Sequence, residues 1–314
     1  MQKIEQPIFL VGSIRSGTSL LRLMLDCHPE MAFNLESEYL VSQLPKGNGF
    51  PDMAEYVSWL ERDRVFQHSH FSINKKLDYV SLMNDFLWQK REREGKSIIG
   101  ATVHDDFGEL KRIWPNAKYI HIYRDGRDVA NSVMQMGLSG NAYMAADCWL
   151  RAEYEWDELV STLNPNDWIE ISYEDLICDA KNILKTICDF IGVPYSERMF
   201  DYVNDSTYGL PDPKFTYQWK IKSKEKDVKH IESKIYGMLM RRGYDLSTKK
   251  PIKLNWLTEF YLRLHSKVNA LLFRVNKYGI NLVLQEMVSR RFNLTGWNIA
   301  SSKKIDKIID NNLK

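Results

Sequence analysis

Short apolar runs alternate with longer segments of helical periodicity along roughly the first two-thirds of the chain. The apolar runs have the length of strands buried between helices and predict five strands, at 8–11, 31–35, 97–103, 119–123 and 168–172. The intervening segments predict helices, chiefly at 20–27, 52–59, 77–94, 142–159 and 180–191. Strands and helices that alternate in this way are typical of an α/β fold, a parallel sheet with helices on both faces.

A polar residue or polar loop follows each predicted strand at its carboxyl end. In chain order these are the loop of Arg15, then Glu36, His104, Arg124 and Tyr173. Because ligands of open α/β sheets bind outside the carboxyl ends of the strands, we expect these five positions to converge on one cleft.

The turn after the first strand has the composition of a phosphate-binding loop. It reads Gly-Ser-Ile-Arg-Ser-Gly-Thr-Ser over 12–19 and leads into a helix, so that backbone N–H groups, the helix dipole and the charge of Arg15 meet at one point. The spacing from Gly12 to Gly17 matches a nucleotide P-loop, but Thr18 stands where the P-loop lysine would be. We predict a P-loop-like site that holds a phosphate without metal, formed by Arg15, Ser16, Gly17, Thr18 and Ser19. An ordinary Gly-Ser turn is the alternative.

A second strand-to-helix turn follows about a hundred residues later. Arg124 stands at the strand end, and Ser132 lies eight residues further on, in the predicted helix. An arginine and a hydroxyl so placed can hold one phosphate from two sides, the arginine through a forked pair of charge-assisted bonds. The alternative is that the charged residues of 124–128 form a solvated cluster of ion pairs at a helix start.

Both segments resemble the sulfotransferases that use 3′-phosphoadenosine 5′-phosphosulfate (PAPS). Residues 12–22 are similar to the family's 5′-phosphosulfate loop, Arg-Ser-Gly-Thr-[Thr/Ser]-Leu, and 114–132 to its 3′-phosphate site. The resemblance covers roughly 6–245 and is nearest to the tyrosylprotein-type and related bacterial enzymes. It implies transfer of a sulfuryl group from PAPS to a hydroxyl or amine, with adenosine 3′,5′-bisphosphate as product and no metal.

Such a transfer requires a general base that deprotonates the acceptor. Glu36 is the first choice, because it lies just past the second strand and the resemblance to the tyrosylprotein-type enzymes implies a catalytic glutamate there. Glu38, two residues on, stays an alternative, since both side chains point the same way in an extended segment. His104 is the rival base, because 101–104 resembles the Lys-Thr-His strand end of cytosolic sulfotransferases, without the lysine.

The missing lysine leaves the stabilisation of the transferred group to other residues, such as Arg15, the loop amides, Lys214 or Lys220. The run Tyr173-Glu-Asp-Leu resembles a family segment whose tyrosine contacts the nucleotide. Residues 206–224 occupy the place of the family's nucleotide-closing loop but lack its Arg-Lys-Gly element. From this segment the resemblance implies cofactor contacts by Lys220 and Trp219.

Composition narrows the choice of partners. The formal net charge is only +2 over 314 residues, which argues against a general nucleic-acid binder. Residues 1–6 are polar, and no apolar run reaches the length of a membrane span, so we expect a cytoplasmic protein.

The chain changes character near residue 245. Residues 251–314 contain eleven Lys and Arg against four Asp and Glu, and 256–278 alternate basic and apolar residues at helical spacing. We therefore divide the chain into a sulfotransferase domain, 1–245, and a basic helical extension, 246–314. The extension either makes the protein peripheral to an anionic membrane or packs as a hairpin on the domain or on the second subunit of a homodimer.

Three functions fit these observations. The leading hypothesis is a PAPS-dependent sulfotransferase; the others are a P-loop-type phosphotransferase or kinase and a nucleotide-binding protein that has lost catalysis. The absent P-loop lysine weakens the second. The acceptor stays open, because a sugar, a lipid, a small metabolite or a peptide tyrosine would all present a hydroxyl to the base.

Overall fold

A computed structural model describes residues 4–292, 304–306 and 308. Its centre is a parallel sheet of five strands in the order β2-β3-β1-β4-β5. The strands are β1 Ile8–Val11, β2 Met31–Glu36, β3 Ile98–Val103, β4 Lys118–Tyr123 and β5 Trp168–Ser172. The α/β fold class and all five predicted strands are confirmed, with bounds that differ by at most one residue.

Helices connect the strands and extend the chain beyond the sheet. In order they are α1 Thr18–Asp26, α2 Met53–Leu60, α3 Arg64–Ser69, α4 Tyr79–Glu94, α5 Leu110–Ile113, α6 Gly126–Gln135, α7 Ala142–Val160, α8 Tyr173–Cys178, α9 Ala180–Ile191, α10 Trp219–Lys222, α11 Glu225–Arg241, α12 Trp256–Tyr278 and α13 Ile280–Arg291. Short polar side chains cap several of them: Asp78 accepts the N–H of Ser81 at the start of α4, and Asn141 accepts that of Met144 at the start of α7.

The alternation of side chains along β1 divides the core into two layers. Phe9 and Val11 pack in a cluster with residues of α2, α4 and α7, whereas Ile8 and Leu10 pack on the opposite face with residues of α1, α8 and α9. Successive side chains of a strand point to opposite faces, so a strand apolar at every position needs cover on both. The helices therefore cover both faces of the sheet, as the apolar runs predict.

A third cluster fastens α11 to the sheet. Val129 of α6, Trp149 of α7 and Ile235 of α11 are buried together. Gly126 opens α6 beneath this cluster, and a Cβ there would lie 2.6 Å from the Trp149 ring. The close approach of α7 thus fixes the start of α6, where the second predicted phosphate turn ends.

The extension contacts the domain through the turn that follows α6. Ser266 Oγ of α12 accepts the N–H of Gly140 at 3.0 Å, and Asn141 donates to the Leu262 carbonyl at 2.7 Å. Gly137 has a φ of 77°, and a Cβ there would lie 2.1 Å from the Phe273 ring. The predicted helix 256–278 is confirmed and packs on the domain along one side, whereas the domain boundary at 245 stays a prediction.

Candidate active site

The two predicted phosphate turns form one site. Arg15 Nε donates to Ser132 Oγ at 2.9 Å, and Arg124 Nη1 donates to the backbone carbonyl of Arg15 at 3.3 Å. This contact arises because β1 and β4 are neighbours in the sheet, which places their carboxyl ends side by side. Segments about a hundred residues apart in sequence therefore line the same cleft.

Positive backbone angles shape the first turn. Gly12 has a φ of 146°, and a Cβ there would lie 2.2 Å from the Ile122 carbonyl oxygen. Gly17 has a φ of 99°, and its Cβ would lie 2.4 Å from the Tyr173 ring. Arg15 takes the left-handed conformation, with a φ of 69°, although it has a side chain. The turn thus packs closely against β4 and α8. At Gly12 and Gly17, the backbone angle and the close contact leave room only for glycine.

The first turn presents unpaired donors. Helix α1 begins at Thr18 without a side-chain cap, which leaves its first backbone N–H groups open to a ligand. The Ser16 hydroxyl is fully buried and has no hydrogen-bond partner among the described residues. A buried hydroxyl without a partner is costly, so an anion bound at this turn would satisfy it.

A cleft of about 430 Å³ lies at this edge of the sheet. The turns supply Arg15 and Arg124, the segment 206–224 supplies Lys222, and Asp128 is the one acid among the described residues of the lining. Its other polar and aromatic walls include Gly17, Thr18, Ser19, Asn131, Ser132, Gln135, Tyr173, Tyr208, Phe215, Gln218 and Trp219. The positive excess fits an anionic ligand with more than one charged group.

Lys220 does not line this cleft. Its ammonium lies 4.7 Å from the ring centre of Tyr217 and 5.6 Å from that of Trp219, while Lys222, two residues on, reaches the cleft. Sequence reasoning missed Lys222 because the orientation of the short helix α10 decides which lysine faces inward. Asn131 and Gln135 were missed too, although their spacing from Ser132 along α6 places all three on one helical face.

Arg124 is held in place by several partners. Its guanidinium carbon lies 4.2 Å from the ring centre of Tyr173, Nη2 donates to the Phe215 carbonyl at 3.0 Å, and Nη2 lies 3.5 Å from Asp128. Its Nε is buried and has no partner among the described residues. Burial raises the pKa of the Tyr173 phenol, which keeps a neutral donor beside the guanidinium.

The solvated ion-pair alternative for 124–128 is wrong. Asp125, Arg127 and Asp128 are all buried. Arg127 pairs with Asp125 at 2.7 Å and with Glu232 of α11 at 2.6 Å, and its guanidinium lies 3.7 Å from the centre of the Trp219 ring. The cluster therefore ties α6, α10 and α11 together behind the cleft, and its charges are paired away from water.

Asp128 fastens the segment 206–224 over the cleft. Its carboxylate accepts the backbone N–H of Trp219 at 2.7 Å and that of Gln218 at 3.1 Å. Burial raises the pKa of Asp128, and Arg124 opposes this shift. One carboxylate thus links the second predicted phosphate turn to the segment 206–224 that borders the cleft.

Glu36 and His104 lie together at the first turn, outside the lining of the cleft. His104 Nδ1 lies 3.0 Å from the Gly12 carbonyl oxygen, which can only accept, so Nδ1 carries the proton. Nε2 lies 3.9 Å from a Glu36 oxygen. The imidazole is buried, whereas 54% of the Glu36 side chain is exposed. Of the two, the carboxylate is the more accessible to a second substrate.

Glu38 has a different environment from Glu36. Its carboxylate accepts the backbone N–H of His104 at 3.0 Å, and burial raises its pKa. Sequence reasoning missed Arg22 of α1, whose pKa burial lowers and whose guanidinium lies 3.9 Å from Asp26.

A family model described as the sulfotransferase family matches residues 7–197. A putative protein-tyrosine sulfotransferase of Caenorhabditis briggsae is 23% identical over 275 residues, 80% of this chain and 93% of that protein. Protein-tyrosine sulfotransferase 1 of Danio rerio is 23% identical over 63% of this chain and 56% of its own length. The chain thus spans only about half the length of several curated relatives.

Solved structures share the fold. The sulfotransferase domain from the curacin biosynthetic pathway superimposes with a TM-score of 0.58 at 20% identity, covering 78% of this chain and all of that one. The sulfotransferase domain from the Synechococcus PCC 7002 olefin synthase gives 0.59 at 20% identity, covering 78% and 97%. These likenesses concern the fold, whereas the family match over more than half of its residues shows that the chain belongs to the sulfotransferase family.

Proposed function

We propose that this protein transfers a sulfuryl group from PAPS to a hydroxyl-bearing acceptor. The observation that carries the proposal is the hydrogen bond between Arg15 and Ser132, which joins two phosphate-binding turns in one cleft. One turn would suffice for a single phosphate chain. Two basic corners, at Arg15 and Arg124, suit a nucleotide that is charged at both its 5′ and 3′ positions.

The first turn suits the phosphosulfate. The charge of Arg15, the open N–H groups at the start of α1 and the buried Ser16 hydroxyl would hold it, and Thr18 and Ser19 add hydroxyls at the same point. Bound there, the donor supplies an activated sulfuryl group that an acceptor hydroxyl attacks in line. Arg15 and the turn amides stabilise the charge that develops on the leaving phosphate.

The second turn suits the 3′-phosphate. Arg124 offers its unpartnered Nε, Ser132 a hydroxyl, and Lys222 takes the role first expected of Lys220. Trp219 and Tyr173 border the same cleft and offer aromatic surfaces to the adenine ring of the nucleotide.

We propose that Glu36 is the general base, which removes the proton of the acceptor hydroxyl. Its carboxylate is the more exposed of the pair, and His104 Nε2 lies 3.9 Å from it. Through its bond to the Gly12 carbonyl, His104 also fixes the start of the first turn. Glu38 holds the His104 backbone and is the weaker candidate for the base.

Family membership removes the phosphotransferase hypothesis and leaves an active sulfotransferase against an inactive nucleotide-binding protein. Calorimetry without magnesium should show that adenosine 3′,5′-bisphosphate binds more tightly than adenosine 5′-phosphate. Labelled PAPS should then be offered with peptide tyrosines, sugars, lipids and small phenols, starting with tyrosine because curated relatives are named protein-tyrosine sulfotransferases. Equal affinity for the two nucleotides would contradict the two-phosphate cleft, and binding without transfer to any acceptor would favour the inactive protein.

A further inference from the structure

Helix α12 exposes a broad apolar face. Nine of its 23 residues are large, apolar and exposed: Phe273, whose ring lies against Gly137, and eight others, namely Trp256, Leu257, Phe260, Tyr261, Leu264, Val268, Leu271 and Leu272. Trp256 is 73% and Phe260 62% exposed. At the rotation of an α-helix, all eight fall within one arc of about 160°. The exposure is therefore a continuous stripe and not a scatter of single residues.

The opposite face of α12 is already occupied. Leu262 and Ser266 are buried against the turn after α6, and Asn269 donates to the Gly140 carbonyl at 3.1 Å. These contacts fix the orientation of α12, so its exposed apolar stripe faces away from the turn after α6.

Helix α13 adds a second apolar face. Ile280, Leu284, Met287 and Val288 are exposed, as is Phe292 just past the helix end, while Val283 and Ser289 are buried. An ion pair between Arg274 and Glu286 ties α13 to α12. We call the exposed apolar residues of the two helices, taken together, the C-terminal apolar surface.

Cations accompany this surface. On α12, Arg263 and Lys267 lie at one border of the apolar arc, and Lys253, Lys277 and Arg291 are exposed nearby in the chain. The acids between 251 and 292 are Glu259, which pairs with Arg263 at 3.7 Å, and Glu286, which is buried. In a twofold contact between two copies, the same positive charges would face each other and repel. An anionic lipid surface would instead neutralise these positive charges.

We propose that the C-terminal apolar surface lies on the anionic surface of a membrane. Aromatic and aliphatic side chains enter the boundary between headgroups and acyl chains, and the cations at its border contact lipid phosphates. Among the described residues, no helix is long and apolar enough to cross a membrane, which agrees with a helix that lies along the interface. The proposal does not depend on the sulfuryl transfer.

The test is co-sedimentation of the full chain with vesicles of phosphatidylcholine alone, and of phosphatidylcholine with about one-third phosphatidylglycerol. We expect binding at least about tenfold tighter to the anionic vesicles, and this preference should shrink as salt is added. The double variant Phe260→Gln and Leu264→Gln should bind at least about a hundredfold more weakly, because two large apolar groups no longer enter the lipid. Met240→Gln on α11 is the matched control, since Met240 is also 62% exposed but lies outside the surface.

A charge reversal separates the electrostatic contribution. Lys267→Glu should weaken binding to anionic vesicles and leave weak binding to neutral ones unchanged, whereas Lys185→Glu on α9 should change neither. Thermal melting should stay the same for all variants, because the replaced side chains are exposed.

Three results would overturn the proposal. The first is equal binding to both kinds of vesicle, or none to either. The second is a dimer in sedimentation velocity that dissociates in the Phe260→Gln and Leu264→Gln variant, which would make a second copy the occupant. The third is vesicle binding that appears only after residues 293–314 are removed, which would mean that this terminal segment covers the surface.

Discussion

The Asp128 carboxylate accepts the backbone N–H of Trp219 at 2.7 Å, a contact that joins residues 91 positions apart. Asp128 lies in the first turn of α6, four residues after Arg124, and Trp219 opens α10. The helix that follows the second predicted phosphate turn therefore also holds the segment 206–224, which borders the cleft. Binding of the nucleotide and closure of the segment 206–224 should change together.

Asp128→Asn tests this coupling. The substituted amide keeps one acceptor oxygen but turns an NH₂ group toward the second backbone N–H, so one hydrogen bond is lost at a buried site, at a cost of about 1–3 kcal/mol. We expect weaker binding of adenosine 3′,5′-bisphosphate and faster proteolysis within 206–224, measured by calorimetry and limited digestion. Glu225→Gln, at an exposed carboxylate on α11, is the control. Unchanged proteolysis with lost affinity would mean that Asp128 acts on the ligand and not on the segment.

Arg124→Ala should distinguish between nucleotides. Loss of one charged, forked contact should weaken adenosine 3′,5′-bisphosphate by about 1.5–3 kcal/mol and adenosine 5′-phosphate far less. Calorimetry measures both, and Arg151→Ala, at an exposed ion pair with Asp105, provides the control. Equal losses for the two nucleotides would refute the assignment of Arg124 to the 3′-phosphate.

Glu36→Gln tests the base. Nucleotide affinity should stay nearly intact, and turnover should fall by about a hundredfold or more, the usual scale for loss of a positioned base. His104→Ala should cost less turnover but should weaken nucleotide binding, because His104 bonds to the Gly12 carbonyl in the first turn. If the histidine variant is inactive while the glutamine variant keeps most of its rate, the base is His104.

Glu155 should make stability depend on pH. Its half-buried carboxyl accepts the N–H of Gly108 at 2.9 Å, and burial raises its pKa to about 7. A carboxyl whose pKa is raised on folding binds its proton more tightly in the folded state. Its contribution to stability is therefore full below the unfolded value of about 4.5 and is lost as the pH rises to about 7.

Replacing Glu155 by glutamine removes this dependence and keeps an acceptor for Gly108. The free energy of unfolding of Glu155→Gln minus that of the native protein should grow by about 1–2 kcal/mol between pH 4.5 and 7 and then level off, after a discount for partial solvation. Urea denaturation at a series of pH values measures it, with the exposed Glu225→Gln as control. A difference that does not change with pH would show that the carboxyl titrates normally.

Local patterns in the sequence determined the sheet and the two turns that we predict to bind phosphate. The five strands are mostly apolar because the sheet is covered on both faces, so their runs stand out from the helices between them. The glycines and hydroxyls of 12–19 identify the first turn because its backbone requires positive φ at Gly12 and Gly17. Arg124 and Ser132 could likewise be found by spacing along one turn and helix.

Only the tertiary structure decided how these parts meet. The sequence does not distinguish a solvated ion pair from a buried one. Asp125 and Arg127 are buried because α11 packs over them. The choice of Lys222 over Lys220 depends on how Asp128 holds the start of α10. Which side of α12 is exposed to solvent depends on which of its residues pack on the turn after α6.

The contact between Arg15 and Ser132 shows the physical reason. Each residue belongs to a turn that its own local sequence specifies, but their hydrogen bond exists because β4 pairs with β1 in the sheet. The order of the strands depends on how the whole core packs, because every strand and every covering helix must bury its apolar side chains against the others. No local pattern of residues encodes that order. The sequence by itself therefore determined the two half-sites, and the fold joined them into one.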